Sequence, residues 1–194
     1  EALTLPRPDG VSLKGAAGAV VAAGEVRESL NGPRPFLSGL PTVPSARTAL
    51  PVLGEYDVVV VGGGTAGAPA GISAGRQGAK TLLIEHLYGL GGVGTLGMIG
   101  KYWYGNACGF TAEHDRGVTE LGAAVHVVGK AEWWRRENRK AGTEIWFGAM
   151  GCGALVQDGR VTGVVVATPS GRGVVLARSV VDATGNAEIA AAAG

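Results

Sequence analysis

Cysteine is nearly absent from this chain. There are two in 194 residues, Cys108 and Cys152. They stand far apart and form no C-x-x-C, so neither a disulfide framework nor a metal site is expected. Net charge is equally scarce: 17 Lys and Arg against 16 Asp and Glu leave +1. That balance gives no electrostatic case for nucleic acid or an anionic membrane. Long apolar runs are missing too. The longest stretch of small apolar residues, Gly15 to Gly24, is too short and too rich in Ala and Gly to span a bilayer. No secretory leader pattern is visible, and the chain opens on Glu1 without Met. The sparse cysteine fits a reducing compartment, with the cytoplasm favoured.

Glycine is plentiful, at 35 residues, in a chain that is 46% hydrophobic and 17% charged, the balance of a globular protein. No collagen-like period organises the glycines. Most of the chain's prolines fall in residues 1–54, with Pro33, Pro35, Pro41 and Pro44 clustered. That segment shows no sustained period and is expected to be a loop-rich extension. Residues 55–194 alternate as a nucleotide-binding domain does. Strands are expected at Tyr56–Val61 and Thr81–Glu85, helices at Ala66–Gln77 and Ala131–Ala141, and an irregular stretch over 86–117. Three further strands are expected, Glu144–Val156, Val161–Thr168 and Val174–Asp182. Ala187–Gly194 reads as the start of a helix without its full length, which suggests a piece of a longer protein.

Residues 57–92 carry the strongest signal. Val58 to Val61 run straight into Gly62, Gly63 and Gly64, Gly67 completes G-x-G-x-x-G, and the next apolar run ends on Glu85. Strand, glycine turn, helix and acid-terminated strand form the dinucleotide-binding pattern. Gly62 permits the tight turn, Gly64 lets backbone approach a pyrophosphate, and Gly67 lets the helix pack close to the strand. Thr65 and Ala66 lie between them at the helix N-terminus, whose N–H groups and positive dipole end favour phosphate. Glu85 can accept both hydroxyls of an adenosine ribose and would repel a 2′-phosphate, which disfavours NADP. His86 follows it, near the same adenosine.

Two later segments extend the pattern. Gly91 and Gly92 follow Glu85 in the spacing E-x-x-x-x-x-G-G and continue into Thr95. Val180-Val181-Asp182-Ala183-Thr184-Gly185 is an apolar strand ending in a small-residue turn, preceded by what looks like a β-meander. With the glycine motif, these resemble the FAD-dependent oxidoreductase family of glutathione-reductase-like flavoproteins, over residues 56–194. The resemblance implies an α/β, Rossmann-like FAD-binding domain: a parallel sheet with crossover helices and a β-meander, incomplete at the C-terminus. It implies FAD as cofactor and hydride transfer with a small-molecule substrate. Gly91, Gly92 and Thr95 would line the flavin side, and Ala183, Thr184 and Gly185 the adenine side. It also implies a further C-terminal or substrate domain, or a sister chain. Two alternatives stand beside it: an NAD-dependent dehydrogenase, whose βαβ unit would look similar but which the Gly91-Gly92 extension and the late Ala183-Thr184-Gly185 turn argue against, and a non-catalytic subunit or fragment acting as an interaction module, which the unfinished C-terminal helix motivates.

Residues 101–117 offer catalytic candidates. His114 and Asp115 are neighbours that could act as a general base, and Tyr104 lies in the same aromatic loop. An aromatic plug beneath the domain explains the stretch equally well. Trp133 and Trp134 read as the buried stripe of an amphipathic helix, not a nucleic-acid surface. His126 and Cys152 read as packed structural residues.

Overall fold

The computed structural model describes residues 22–29, 41, 43–44, 49–101 and 105–194. Tyr104 lies outside the described residues. Among them, seven strands form one sheet. They are β1 (Glu25–Glu28), β2 (Val52–Val61), β3 (Thr81–Glu85), β4 (Glu144–Phe147), β5 (Met150–Gln157), β6 (Arg160–Thr168) and β7 (Gly171–Asp182). The order across the sheet is β1-β5-β6-β7-β2-β3-β4. β7, β2, β3 and β4 run parallel, and β1, β5, β6 and β7 antiparallel. β7 is the hinge between the two regimes. Its first half pairs with β6, and its second half lies parallel to β2, Val61 opposite Asp182.

The period-2 pattern of the buried strands sorts the core into two layers. Val60 and Leu83 point to one face, covered by α1 (Gly67–Arg76), α2 (Phe110–Leu121) and α3 (His126–Lys140). Val59, Val61, Leu82 and Ile84 point to the other. There they meet Ala154, Val156, Val164 and Val166 of the meander and Ile189 of α4 (Glu188–Ala193). The sheet curls so closely that a Cβ on Gly151 of β5 would run into Val61 Cγ1. No helix of the described residues is long and apolar enough to cross a membrane.

The structure departs from the expected elements at several points, and α3 starts at His126, ahead of the expected Ala131. The run expected as one strand from Glu144 to Val156 is two. Gly148, at φ +66°, breaks it, so that β4 extends the parallel sheet beside β3 while β5 opens the meander. The irregular stretch over 86–117 ends in α2, which closes on Gly122 in the left-handed conformation. And the segment before residue 55 contributes structure. β1 pairs antiparallel with β5, with Val26 opposite Leu155, and β2 begins at Val52. Four residues are too few to show a period, and β1 is held by a partner more than 120 residues away.

Candidate functional site

Three loops meet at the C-terminal ends of β2, β3 and β7. The first leaves β2 at Gly62, whose φ of +93° suits glycine. Gly62 N–H donates to the Ile84 carbonyl at 2.8 Å, and Ala183 N–H to the Val61 carbonyl at 2.8 Å. The turn after β7 therefore sits directly on the turn after β2. A Cβ on Gly62 would meet the Ala183 carbonyl, and one on Gly67 would run into the Gly62 carbonyl. These two glycines are required by protein packing against protein.

The second loop follows β3. Gly91 N–H donates to the Gly63 carbonyl at 2.8 Å, and Thr65 Oγ1 donates to the Gly91 carbonyl at 3.1 Å. Gly92 lies against Gly64, with room for a Cβ only 3.0 Å from Gly64 Cα. Thr95 is buried and donates its hydroxyl to the Leu90 carbonyl at 2.6 Å, which ties the loop to itself. Its hydroxyl is thus engaged with the loop's own backbone.

Glu85 closes the group. Its carboxylate is 5% exposed. It accepts from Gly63 N–H at 2.7 Å and from Leu87 N–H at 2.8 Å, and the half-exposed His86 places Nδ1 at 2.9 Å. A carboxylate offers about four lone-pair sites, so further acceptance is open to it. The same group that would hold a ribose also fixes the glycine turn.

The third loop is organised by Asp182, a residue the sequence reading did not single out. Oδ1 accepts from Thr184 N–H at 3.1 Å and from the Thr184 hydroxyl at 2.7 Å. Oδ2 accepts from Ile189 N–H at 3.0 Å and Ala190 N–H at 2.8 Å, which caps α4. Burial opposes its charge, but these donors, Ala190 N–H first, outweigh that and hold the carboxyl below its ordinary range. A D-x-T sequence is a recognisable Asx-turn signal and could have revealed it.

The bare backbone left between the loops fits a pyrophosphate. A Cβ added at Gly64 would find its nearest neighbour 4.0 Å away, and one at Gly185 would find nothing within 4 Å. Thr65 and Ala66 are exposed at the start of α1, and the first turn of α1 carries no acidic side chain to oppose an anion. Thus Gly62, Gly64, Thr65, Ala66, Gly67, Glu85, His86, Gly91, Gly92, Thr95, Ala183, Thr184 and Gly185 fall in the three converging loops.

His114 and Asp115 do not join them. His114 is 1% exposed inside an aromatic cluster, stacked on Trp134 at 4.6 Å between centroids and edge-on to Trp133 at 5.0 Å. Its Nδ1 meets Asp115 Oδ1 at 2.8 Å, and Nε2 is buried without a hydrogen-bond partner among the described residues. Burial pushes its pKa down, against the opposing pull of Asp115. Among the described residues, His114 thus packs in the aromatic cluster between α2 and α3, apart from the three loops. Trp133 and Trp134 are buried as the amphipathic stripe requires, whereas His126 is exposed at the start of α3. Cys152 donates weakly to the Val165 carbonyl at 3.6 Å, and burial pushes its thiol pKa up.

A family model described as FAD dependent oxidoreductase matches residues 57–194. The chain belongs to that family. The match begins at the strand that feeds the glycine turn and runs through the Ala183–Gly185 turn, so it contains all three loops. Solved structures share the fold. THI4 of Thermovibrio ammonificans matches at 21% identity and a TM-score of 0.52, over 71% of this chain and 61% of that one. A geranylgeranyl bacteriochlorophyll reductase-like protein of Thermoplasma acidophilum matches at 24% and 0.54, over 72% and 42%. L-proline dehydrogenase of P. horikoshii matches at 14% and 0.53, over 75% and 57%. The chain therefore spans between 42% and 61% of the length of these three structures. As in other FAD dependent oxidoreductases, the cofactor of the family is FAD.

Proposed function

We propose that this chain forms the FAD-binding portion of an oxidoreductase that exchanges a hydride with a small organic substrate. The observation that carries the reading is the meeting of three loops around bare backbone at the C-terminal ends of β2, β3 and β7. Ligands of open α/β sheets bind in that crevice.

The residues divide the work by chemistry. The α1 N-terminus, with Gly64, Thr65 and Ala66, would take the pyrophosphate through backbone N–H groups. Glu85 would accept the ribose hydroxyls, with His86 at the rim. Ala183, Thr184 and Gly185 would close the adenine side, and the Gly91–Thr95 loop the flavin side. When bound, FAD supplies a two-electron acceptor whose chemistry is its own. This chain would bind, orient and exclude water. The groups that handle the substrate proton would come from sequence that the longer structures carry in addition.

The test is a visible absorbance spectrum of the protein purified from a flavin-rich host, repeated after adding FAD and desalting. A retained flavin spectrum is expected. A colourless protein that NAD stabilises against heat, and FAD does not, would overturn the reading.

A further inference from the structure

α3 reaches the candidate site at two points on one face. Trp134 and Asn138 are one helical turn apart, so their side chains lie together. Trp134 backs the second loop: a Cβ on Gly91 would meet its indole Cδ1 at 2.9 Å. Asn138 has no exposed surface. Its Nδ2 donates to the Ala68 carbonyl at 3.1 Å and to the Trp134 carbonyl at 2.9 Å. Ala68 belongs to the first turn of α1, the turn that would face the pyrophosphate.

Two further facts make this bond more than packing. α1 starts without a local cap, because Ala66 offers no side-chain hydrogen bond. The side-chain bond that its first turn does receive comes from α3, at the Ala68 carbonyl. Asn138 is also a costly choice for stability, since Oδ1 is buried with no hydrogen-bond partner among the described residues. An apolar residue of similar size would avoid that cost and lose only the bonds to Ala68 and Trp134. Gly71 leaves the room that the amide needs, as a Cβ there would run into Oδ1.

We propose that Asn138 is a positioning residue for FAD. It sets the first turn of α1 at a fixed distance from the Gly91–Gly92 loop, and so the width of the slot for the pyrophosphate. The proposal rests on the cofactor reading above.

The test compares the wild type with Asn138→Leu, and with Val118→Ala as a control that destabilises the same core from α2. Asn138→Ala replaces the leucine variant should that one fail to fold. Amide hydrogen exchange without cofactor should rise about tenfold at Ala68 and Ala70, whose N–H groups bond the Gly64 and Ala66 carbonyls, beyond any global change, and only globally in Val118→Ala. FAD binding followed by flavin fluorescence should weaken about tenfold in the Asn138 variant and little in the control. The phosphorus-31 resonances of bound FAD should also move in the Asn138 variant alone. Equal FAD affinity in the Asn138 variant and the control, or no local change in exchange, overturns the proposal. A wild type that takes up no FAD overturns the cofactor reading itself, and the proposal with it.

Discussion

At Gly64 an added Cβ would stand 4.0 Å from its nearest neighbour, whereas at Gly67 it would collide with the Gly62 carbonyl. Two of the motif's three glycines thus differ: the fold requires Gly67, whereas nothing in the packing requires Gly64. Gly64→Ala should fold normally, with a melting temperature within a few degrees of wild type, while FAD affinity falls roughly tenfold or more. Gly67→Ala should lose about 1–3 kcal/mol of stability from overpacking. Thermal melts and FAD titration of the two variants separate the cases, and equal behaviour would show the distinction to be false. Glu85 combines both duties. Glu85→Ala leaves Gly63 and Leu87 N–H groups without their acceptor, so urea unfolding should report a loss of about 1–3 kcal/mol even without cofactor.

Among the helices, the cluster of Phe110, His114, Trp133 and Trp134 joins α2 to α3. His114 is held neutral there by burial, its pKa lowered from 6.5. The unfolded chain therefore binds the extra proton first. Stability from this residue is complete above about pH 6.5 and is lost as pH falls from there through the lowered folded value. His114→Gln should flatten the stability profile as pH falls below 6.5, read by tryptophan fluorescence in urea, and an unchanged slope would contradict the assignment. Asp182 works in the same direction at lower pH, because its folded pKa is lowered beneath 3.8. Asp182→Ala should cost about 1–2 kcal/mol by uncapping α4.

The legibility of these elements follows the range of the forces involved. Val58 to Glu85 were readable because turn chemistry and strand periodicity act within a few residues. α2 was missed because its apolar stripe is thin and its buried members, His114 and Val118, do not announce a core face. The break at Gly148 was missed because β4 and β5 are both extended, and only sheet membership separates them. Of the site, the converging loops could be read from motifs, but the Asn138 bond to Ala68 spans 70 residues, and no local pattern marks it. His114 meets the same limit: only packing decides whether a His–Asp pair faces a substrate or a tryptophan, and here the ring stacks on Trp134.

Across the whole molecule, the sheet is stitched at its far edge by β1. Arg27 donates to the Ala193 carbonyl at the end of α4 at 2.6 Å, and Glu28 pairs with Arg172. Arg27→Ala should lower stability by under about 1 kcal/mol, since that side chain is partly exposed. Removing the whole strand should do more, because it would bare the edge of β5. Light scattering should then show concentration-dependent association.

The position of β7 between β6 and β2 also sets an order of events during synthesis. Gly62, Glu85 and Gly91 lie within 30 residues of one another and can meet early. Their remaining neighbour, Ala183, must cross a loop of about 120 residues, and its strand must be inserted between two others before it docks on Gly62. Closing so long a loop is slow. On the ribosome, the half-built crevice would wait for the last strand, and a flavin captured earlier would sit in a site open on one side. A ligand that needs all three loops would therefore be enclosed only after β7 has docked beside β2.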